Sequence, residues 1–508
     1  MLTAILRLLP QTAANVQKGE EEVAEEKSFK RRYISLKETV GYTLYDASTS
    51  INVGYDSRFL YDVFKISLDK IAITNVINGI WDVVNDTFTG VLVDKTRTRW
   101  GKFKPYLAAF VIPNALLTII RFLSPLFLSE NPDDTMKFVF YLGATLLGEG
   151  IGTFRGIAET GLFASLTPSP DDRVRLRVTA TSLSSVFDNL PGVAMGVLMD
   201  MVNHQVVKMD LKTLFTTLGP ILCVISTAIS LVYIFVAKER VPQTAETPNI
   251  REGLTAVWRN KPMRTLLICD LVGIFSVGTD VTNYYIDVLG YASFHNLVQI
   301  PAIPMSLTSY TFVAPLRRRF EMKTLWIFGT KFNDFITIFL FLFGIIGGTG
   351  ENGNYRKLGM MLPAFMVKDF LWKCTWGIKE IIPGELFNEA LDYCEWKDGY
   401  RAEGMIISAK GLIAKLIRNS FSWVGTYVLK AIGYTVGAGF GQQGERVKYL
   451  IFMTSTILPA VTGGLTGIIP QLFYKLDRKT RDQMYEELGE RRKAMVAKEQ
   501  AAGDAVSV

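Results

Sequence analysis

The sequence predicts an all-α polytopic membrane protein whose chain crosses the bilayer twelve times. Three observations carry that reading. Of the 508 residues 49% are hydrophobic and mean hydropathy is +0.22, whereas a soluble chain of this length would divide into domains joined by polar linkers. Residues 213–237, 296–316 and 449–474 are runs of 25, 21 and 26 without a charge, each longer than the ~20 residues that span hydrocarbon as helix. The rest of the chain alternates apolar density with charged breaks. Those breaks place spans at 36–57, 68–93, 105–128, 137–165, 177–202, 213–237, 264–290, 296–316, 324–347, 358–387, 404–434 and 449–474.

Short loops rich in Lys and Arg stay on the cytoplasmic side. The loop after the second span carries Lys95, Arg97, Arg99, Lys102 and Lys104. That after the fourth carries Arg173, Arg175 and Arg177, and that after the eighth Arg317, Arg318, Arg319 and Lys323. Loops after odd-numbered spans are poorer in basic residues. Both termini are therefore expected in the cytoplasm of a cell-membrane protein. The net charge of +7 is then a record of topology and gives no reason to expect nucleic acid. Residues 1–35 read as a cytoplasmic extension without a cleavable signal, and 475–508 as a solvated charged helix. The four cysteines lack metal-ligand spacing, and two histidines, His204 and His295, cannot build a histidine metal site.

Six spans (36–237), a polar cytoplasmic linker (238–263) and six more spans (264–474) suggest duplication. This pattern resembles the two parallel six-helix halves of major facilitator transporters, in which substrate binds near the midplane between halves. A monomer facing lipid suffices for such a machine.

Ionised groups near the bilayer centre cost at least about 2.5–3.5 kcal/mol each, so those in predicted spans mark an internal polar surface. The first span carries Asp46, Ser48, Ser50 and Asn52. In the second, Asp82 and Asp86 stand at i and i+4 with Asn85 between them, on or near one face. Two carboxylates at that spacing repel unless a proton or cation lies between them. Packing through salt bridges is the structural alternative. In the fourth span Arg155 and Glu159 can pair within the helix, while Glu149 is placed nearer the outer end. The eleventh holds Lys410 and Lys415, for which Asp82 or Asp86 across the halves is the natural partner; Lys430 reads as snorkelling. Trp372 and Trp376 share a face of the tenth span beside Lys368, Lys373 and Lys379, fit either for stacking on a sugar ring or for packing.

The stretch "WDVVNDTFTGVLVDKTRTRWGKFKPYL" (81–107) resembles the second helix and following loop of the glycoside–pentoside–hexuronide:cation symporters, the melibiose carrier family of the major facilitator superfamily. "EALDYCEWKDGYRAEGMIISAKGLIAK" (389–415) is similar to that family's junction of helices 10 and 11. The resemblance implies a cation site at Asp82, Asn85 and Asp86 for H+ or Na+, with no other cofactor. It implies a sugar-contacting Asp46, a coupling lysine at Lys415, and a conformational latch of Asp94, Arg97 and Arg99. The fourth helix departs from the family: Thr160 stands where the sugar- and cation-binding aspartate would fall, and Ala164 where the stacking tryptophan would. The arginine expected near Leu183 is missing as well.

The sequence thus predicts a cation-coupled symporter of a sugar, glycoside or hexuronide working by alternating access, and not an enzyme. Its substrate-binding residues are expected at Asp46, Arg155, Glu159, Thr160, Trp372, Trp376, Lys410 and Lys415. The cationic residues Arg155, Lys331, Lys368, Lys373, Lys410 and Lys415 suit a sugar acid, unless acids such as Asp188, Asp280 and Asp334 neutralise them. Alternatives are a lysolipid carrier on the same fold and a receptor that no longer transports.

Overall fold

A computed structural model of the protein describes residues 33–188, 190–241, 255, 257–399, 403–476 and 479–491. Most of the 1–35 extension, the middle of the linker and the end of the tail lie outside them.

Twelve helical spans follow one another near the predicted positions. They are α1 (Leu36–Ser50, resumed at Asp56–Arg58 and a π turn over Phe59–Val63), α2 (Leu68–Lys95), α3 (Lys104–Leu126) and α4 (Thr135–Ser165). Next come α5 (Pro170–Asp188 and Leu190–Asn203), α6 (Leu211–Val236), α7 (Lys261–Ile274 and Val281–Asp287) and α8 (Phe294–Arg319). The last four are α9 (Met322–Gly344), α10 (Leu358–Cys374 and Trp376–Asp398), α11 (Glu403–Phe421 and Val424–Ala431) and α12 (Glu445–Leu472). No strand occurs among the described residues. Local chemistry sets the starts: Ser35 and Glu38 close a capping box at α1, and Asp134 and Asp210 cap α4 and α6.

Five helices, α3, α6, α8, α9 and α12, are long and apolar enough to cross a membrane by length and composition. The other seven are shorter, interrupted or more polar. Backbone irregularity at membrane depth is tolerated where it is covered by protein or lines a cavity. Helices α1 and α7 break at corresponding places in the two halves, at Ile51–Tyr55 and Phe275–Asp280. Between the resumed ends lies a cavity of about 450 Å³ lined by Tyr55, Asp56, Arg58, Asp280, Asn283 and His295.

The core shows how the halves meet. One aromatic-rich cluster draws on both of them, with Phe59, Phe64, Tyr141 and Phe215 from the first and Tyr284, Tyr285, Phe365 and Phe452 from the second. It sits at the end of the molecule away from the chain termini. At the termini end the two halves keep separate cores, one around Tyr42, Phe103, Leu162 and Tyr233, the other around Trp326, Ile382, Leu391 and Ile406. The halves are therefore joined far from the termini and part towards them.

A buried ionic cluster fastens the joined end. Arg58 Nη1 and Nη2 donate to the two carboxylate oxygens of Asp287 at 2.8 and 3.0 Å, and Nε donates to Asp62 at 2.9 Å. The Tyr434 hydroxyl completes the arrangement, 3.0 Å from Arg58. Beside it, Asp200 of α5 accepts the backbone N–H groups of Ala292 and Ser293 at 2.6 and 3.0 Å.

The tail departs from the expectation of a freely solvated helix. Residues 479–491 are helical, but Met484 and Leu488 are buried against Trp396. Arg481 pairs with Glu389 (2.8 Å) and the Trp396 indole donates to Glu487 (2.6 Å). Two apolar residues at i and i+4 give this charged helix a narrow docking face.

Replacing Arg58 by Gln leaves two buried carboxylates without their counter-ion. The expected loss is about 3–5 kcal/mol of stability, measured as thermal or denaturant unfolding in detergent. The triple change of Arg58→Met, Asp62→Leu and Asp287→Leu should recover most of it.

Candidate functional site

Helices α2 and α11 approach closely because Gly79 has no side chain: a Cβ there would lie 2.9 Å from the Asn419 carbonyl oxygen. That contact brings the next turn of α2 against the previous turn of α11. Lys415 then reaches across from the second half to both aspartates of the first. Its ammonium lies 2.9 Å from Asp82 and also bonds Asp86. Asn419 donates to the other oxygen of Asp82 at 2.6 Å. The side chain of Asp82 is only 12% exposed, against 38% for Asp86 and 36% for Lys415. The centre is thus dry on one side and open on the other.

A further acid stands one turn away from the pair. Glu149 of α4 accepts from Asn78 of α2 at 3.4 Å, one turn before Asp82, so it faces α2 beside this centre. The signal was present in the sequence as a further acid inside an apolar helix, but position along a span does not say which neighbour a side chain meets. Asn85, also expected in the cation site, turns towards α4. Its Oδ1 accepts from Thr89 (3.2 Å) and its Nδ2 is buried without a partner. Among the described residues, no group of three or more His, Cys, Asp or Glu side chains is arranged to hold a metal ion.

The other expected residues fall into three further places. Asp46 accepts from Ser184 of α5 (2.7 Å), and Glu159 accepts the Tyr45 hydroxyl (3.1 Å). Arg177 joins this group from α5 by donating to Tyr42 at 2.5 Å, so α5 does supply an arginine, at a position the resemblance did not indicate. Instead of forming an intrahelical pair with Glu159, Arg155 lines a cavity of about 270 Å³ inside the first half, with Asn52, Asn114, Thr118 and Ser226. Thr160 donates to the Gly156 carbonyl one turn back (2.9 Å). In the second half Trp372 lines a cavity of about 380 Å³ with His295, Asp334, Lys368 and Asp369. Trp372 and Trp376 pack edge to face at 5.2 Å, and the Lys373 ammonium lies 3.3 Å from the Trp376 ring centroid. Cations already cover these indoles.

Several cations of the interior have acidic partners. Lys410 pairs with Asp270 (2.7 Å) and Lys368 with Asp369 (3.0 Å). Asp270 and Asp369 were not nominated from sequence; of the acids that were, Asp334 lines the same cavity as Lys368, and the side chain of Asp188 lies outside those described. At the loop after α2, Arg97 donates to the Thr96 carbonyl (2.8 Å) and Arg99 lies 6.0 Å from the Trp100 ring centroid. The side chain of Asp94 lies outside those described. The loop's described acid partner is Glu239, whose carboxylate accepts the backbone N–H groups of Lys102, Phe103 and Lys104 at 2.7, 2.8 and 2.8 Å. A Cβ at Gly101 would fall 2.3 Å from it.

The family model described as MFS/sugar transport protein matches residues 39–478. The chain belongs to that family. Among its relatives it is similar to the isoprimeverose transporter of Lactiplantibacillus pentosus, 26% identical over 88% of this chain and 90% of that protein. It is also similar to the inner membrane symporter YicJ of Escherichia coli (24%; 91% and 96%) and to the glucuronide carrier protein homolog of that bacterium (22%; 79% and 85%). The fold matches two solved structures. One is a bacterial homologue of the human lysosomal transporter Spinster, inward-facing and unoccupied, with a TM-score of 0.56 at 12% identity over 88% of this chain and 97% of that one. The other is the D-xylose–proton symporter, with a TM-score of 0.52 at 14% identity over 87% and 98%. An all-α major facilitator fold in a multi-pass membrane protein follows.

If Lys415 neutralises the two aspartates directly, the changes Asp86→Asn and Lys415→Gln will not be additive. A double-mutant cycle read by unfolding should give an interaction energy of about 0.5–3 kcal/mol; additivity within error would remove the pair from the centre.

Proposed function

We propose that the protein is a cation-coupled symporter of a sugar or sugar acid, moving its cargo by alternating access across the cell membrane. One observation carries this: an ammonium from one half sits between two carboxylates of the other. In that position Lys415 stands where a coupling cation would stand. An arriving H+ or Na+ competes with Lys415 for Asp82 and Asp86, and so loosens the contact between the halves at mid-depth. Cargo is held between the halves, close to Asp46, Glu159 and Lys415, and its binding completes the loaded state. Without a cation the carboxylates hold Lys415 and the carrier stays in its open form, which links the two fluxes.

The family and the relatives' names support a sugar cargo, and the paired interior lysines weaken the charge argument for an acid. Both termini are proposed to be cytoplasmic, which makes the described state inward-open. Arg97 and Arg99, with Asp94, are proposed to latch that end when it closes, and the protein to work as a monomer.

Uptake into proteoliposomes tests this directly, with xylose, isoprimeverose and methyl glucuronide under an imposed pH or sodium gradient. Asp82→Asn and Asp86→Asn should each lower gradient-driven accumulation at least about tenfold, the equivalent of 1.4 kcal/mol. In purified protein, a true cargo at ten times its Kd should stabilise by about 1.4 kcal/mol. Stabilisation by lysolipids alone would move the cargo to another class.

A further inference from the structure

A roomy groove of the first half lies away from the coupling centre. It measures about 1070 Å³ and runs between the termini ends of α3 and α6. These helices pack on each other and on other helices of the first half. The mouth of the groove carries Arg99, Lys104 and Lys238, with Trp100 beside them; its walls are Ala108 and Ala109 on one side and Leu231 and Phe235 on the other. Trp100 is 57% exposed and Phe235 78%.

The charge balance at the mouth is one-sided. Glu239 is the only carboxylate lining the groove among the described residues, and both its oxygens are taken by the backbone N–H groups of residues 102–104. The Lys104 ammonium donates to the Ala237 carbonyl at 3.0 Å, which fixes one positive charge at the rim. Below it, two alanines leave a slot of apolar width facing a phenylalanine. A cationic rim, an aromatic at the rim and an apolar slot beneath form the profile of a bound amphiphile with a negative head. Water would satisfy the rim but not the slot, and a soluble anion would leave the slot bare. In the second half, a smaller cavity of about 440 Å³ at the same end repeats the theme with Lys261, Arg264, Tyr393, Phe473 and Lys475.

We propose that the α3–α6 groove binds a phospholipid with an anionic headgroup, the head held by Arg99, Lys104 and Lys238 and one acyl chain lying along Ala108, Ala109 and Phe235. Each basic residue near an anionic surface contributes about 1 kcal/mol, so the site selects among lipids by head charge.

The test compares the purified protein in nanodiscs of phosphatidylcholine with and without added phosphatidylglycerol, read by thermal unfolding and by native mass spectrometry. Phosphatidylglycerol should raise the midpoint and remain bound. The double variant R99Q/K238Q should weaken its apparent affinity about tenfold or more. Because charge removal in this loop can disturb folding, A109W provides a second variant that fills the slot and keeps every charge; it too should lose the bound lipid. Retention of phosphatidylglycerol by both variants overturns the proposal. So does equal stabilisation by glycerol 3-phosphate, which has the head but no chain, or by phosphatidylcholine, which has the chains but no net charge.

Discussion

An ammonium ion held between two carboxylates, one buried and one open to water, is a bistable object. With all three groups charged, Lys415 binds Asp82 and Asp86 and ties α11 to α2. Neutralise one carboxylate, or offer its oxygens another cation, and the reason for that tie is weakened. The geometry around it depends on this exchange. Gly79 permits the close approach, Asn419 holds the other oxygen of Asp82, and Glu149 brings a further acid that accepts from Asn78 one turn away. A helix pair that were merely packed would need none of these polar groups, each of which is costly inside a membrane.

Much of the fold was legible because hydrocarbon imposes a simple rule on sequence. Runs such as 296–316 and 449–474 can do little else but span. The aspartate pair was legible for the same reason: a charge inside an apolar run demands an explanation. The neighbours of such charges were not legible. Spacing along one helix shows which side chains share a face, but not which other helix that face meets. Hence the contact of Glu149 with Asn78, the bond from Thr89 to Asn85 and the cavity that Arg155 lines were not foreseen.

The second kind of residue missed was the buried ion whose partner is distant in sequence. Arg58 and Asp287 are 229 positions apart, and neither stands in a motif. Arg58 lies close to the predicted end of the first span, where a basic residue is ordinary. Only the folded arrangement, with α1 and α7 broken at equivalent depths, turns these into a clasp between halves. The same holds for Asp200, which meets the backbone of the loop before α8 instead of a side chain. The tail helix failed for a milder reason, since two apolar residues in a highly charged segment are a weak signal until Trp396 is in place to receive them.

The unequal division of the core has a consequence for temperature. At one end a single apolar cluster is shared by both halves, while at the other each half closes its own. Passing to the opposite state must separate the shared cluster and hydrate aromatic surface, which carries a positive heat-capacity change. Apolar attraction weakens on cooling near and below room temperature, and an ion pair does not weaken in the same way. The balance between the two open states therefore depends on temperature through the difference in apolar surface that each of them buries. A carrier built this way carries a thermal bias in its resting orientation, set by where its phenylalanines and tyrosines lie and not by its binding site.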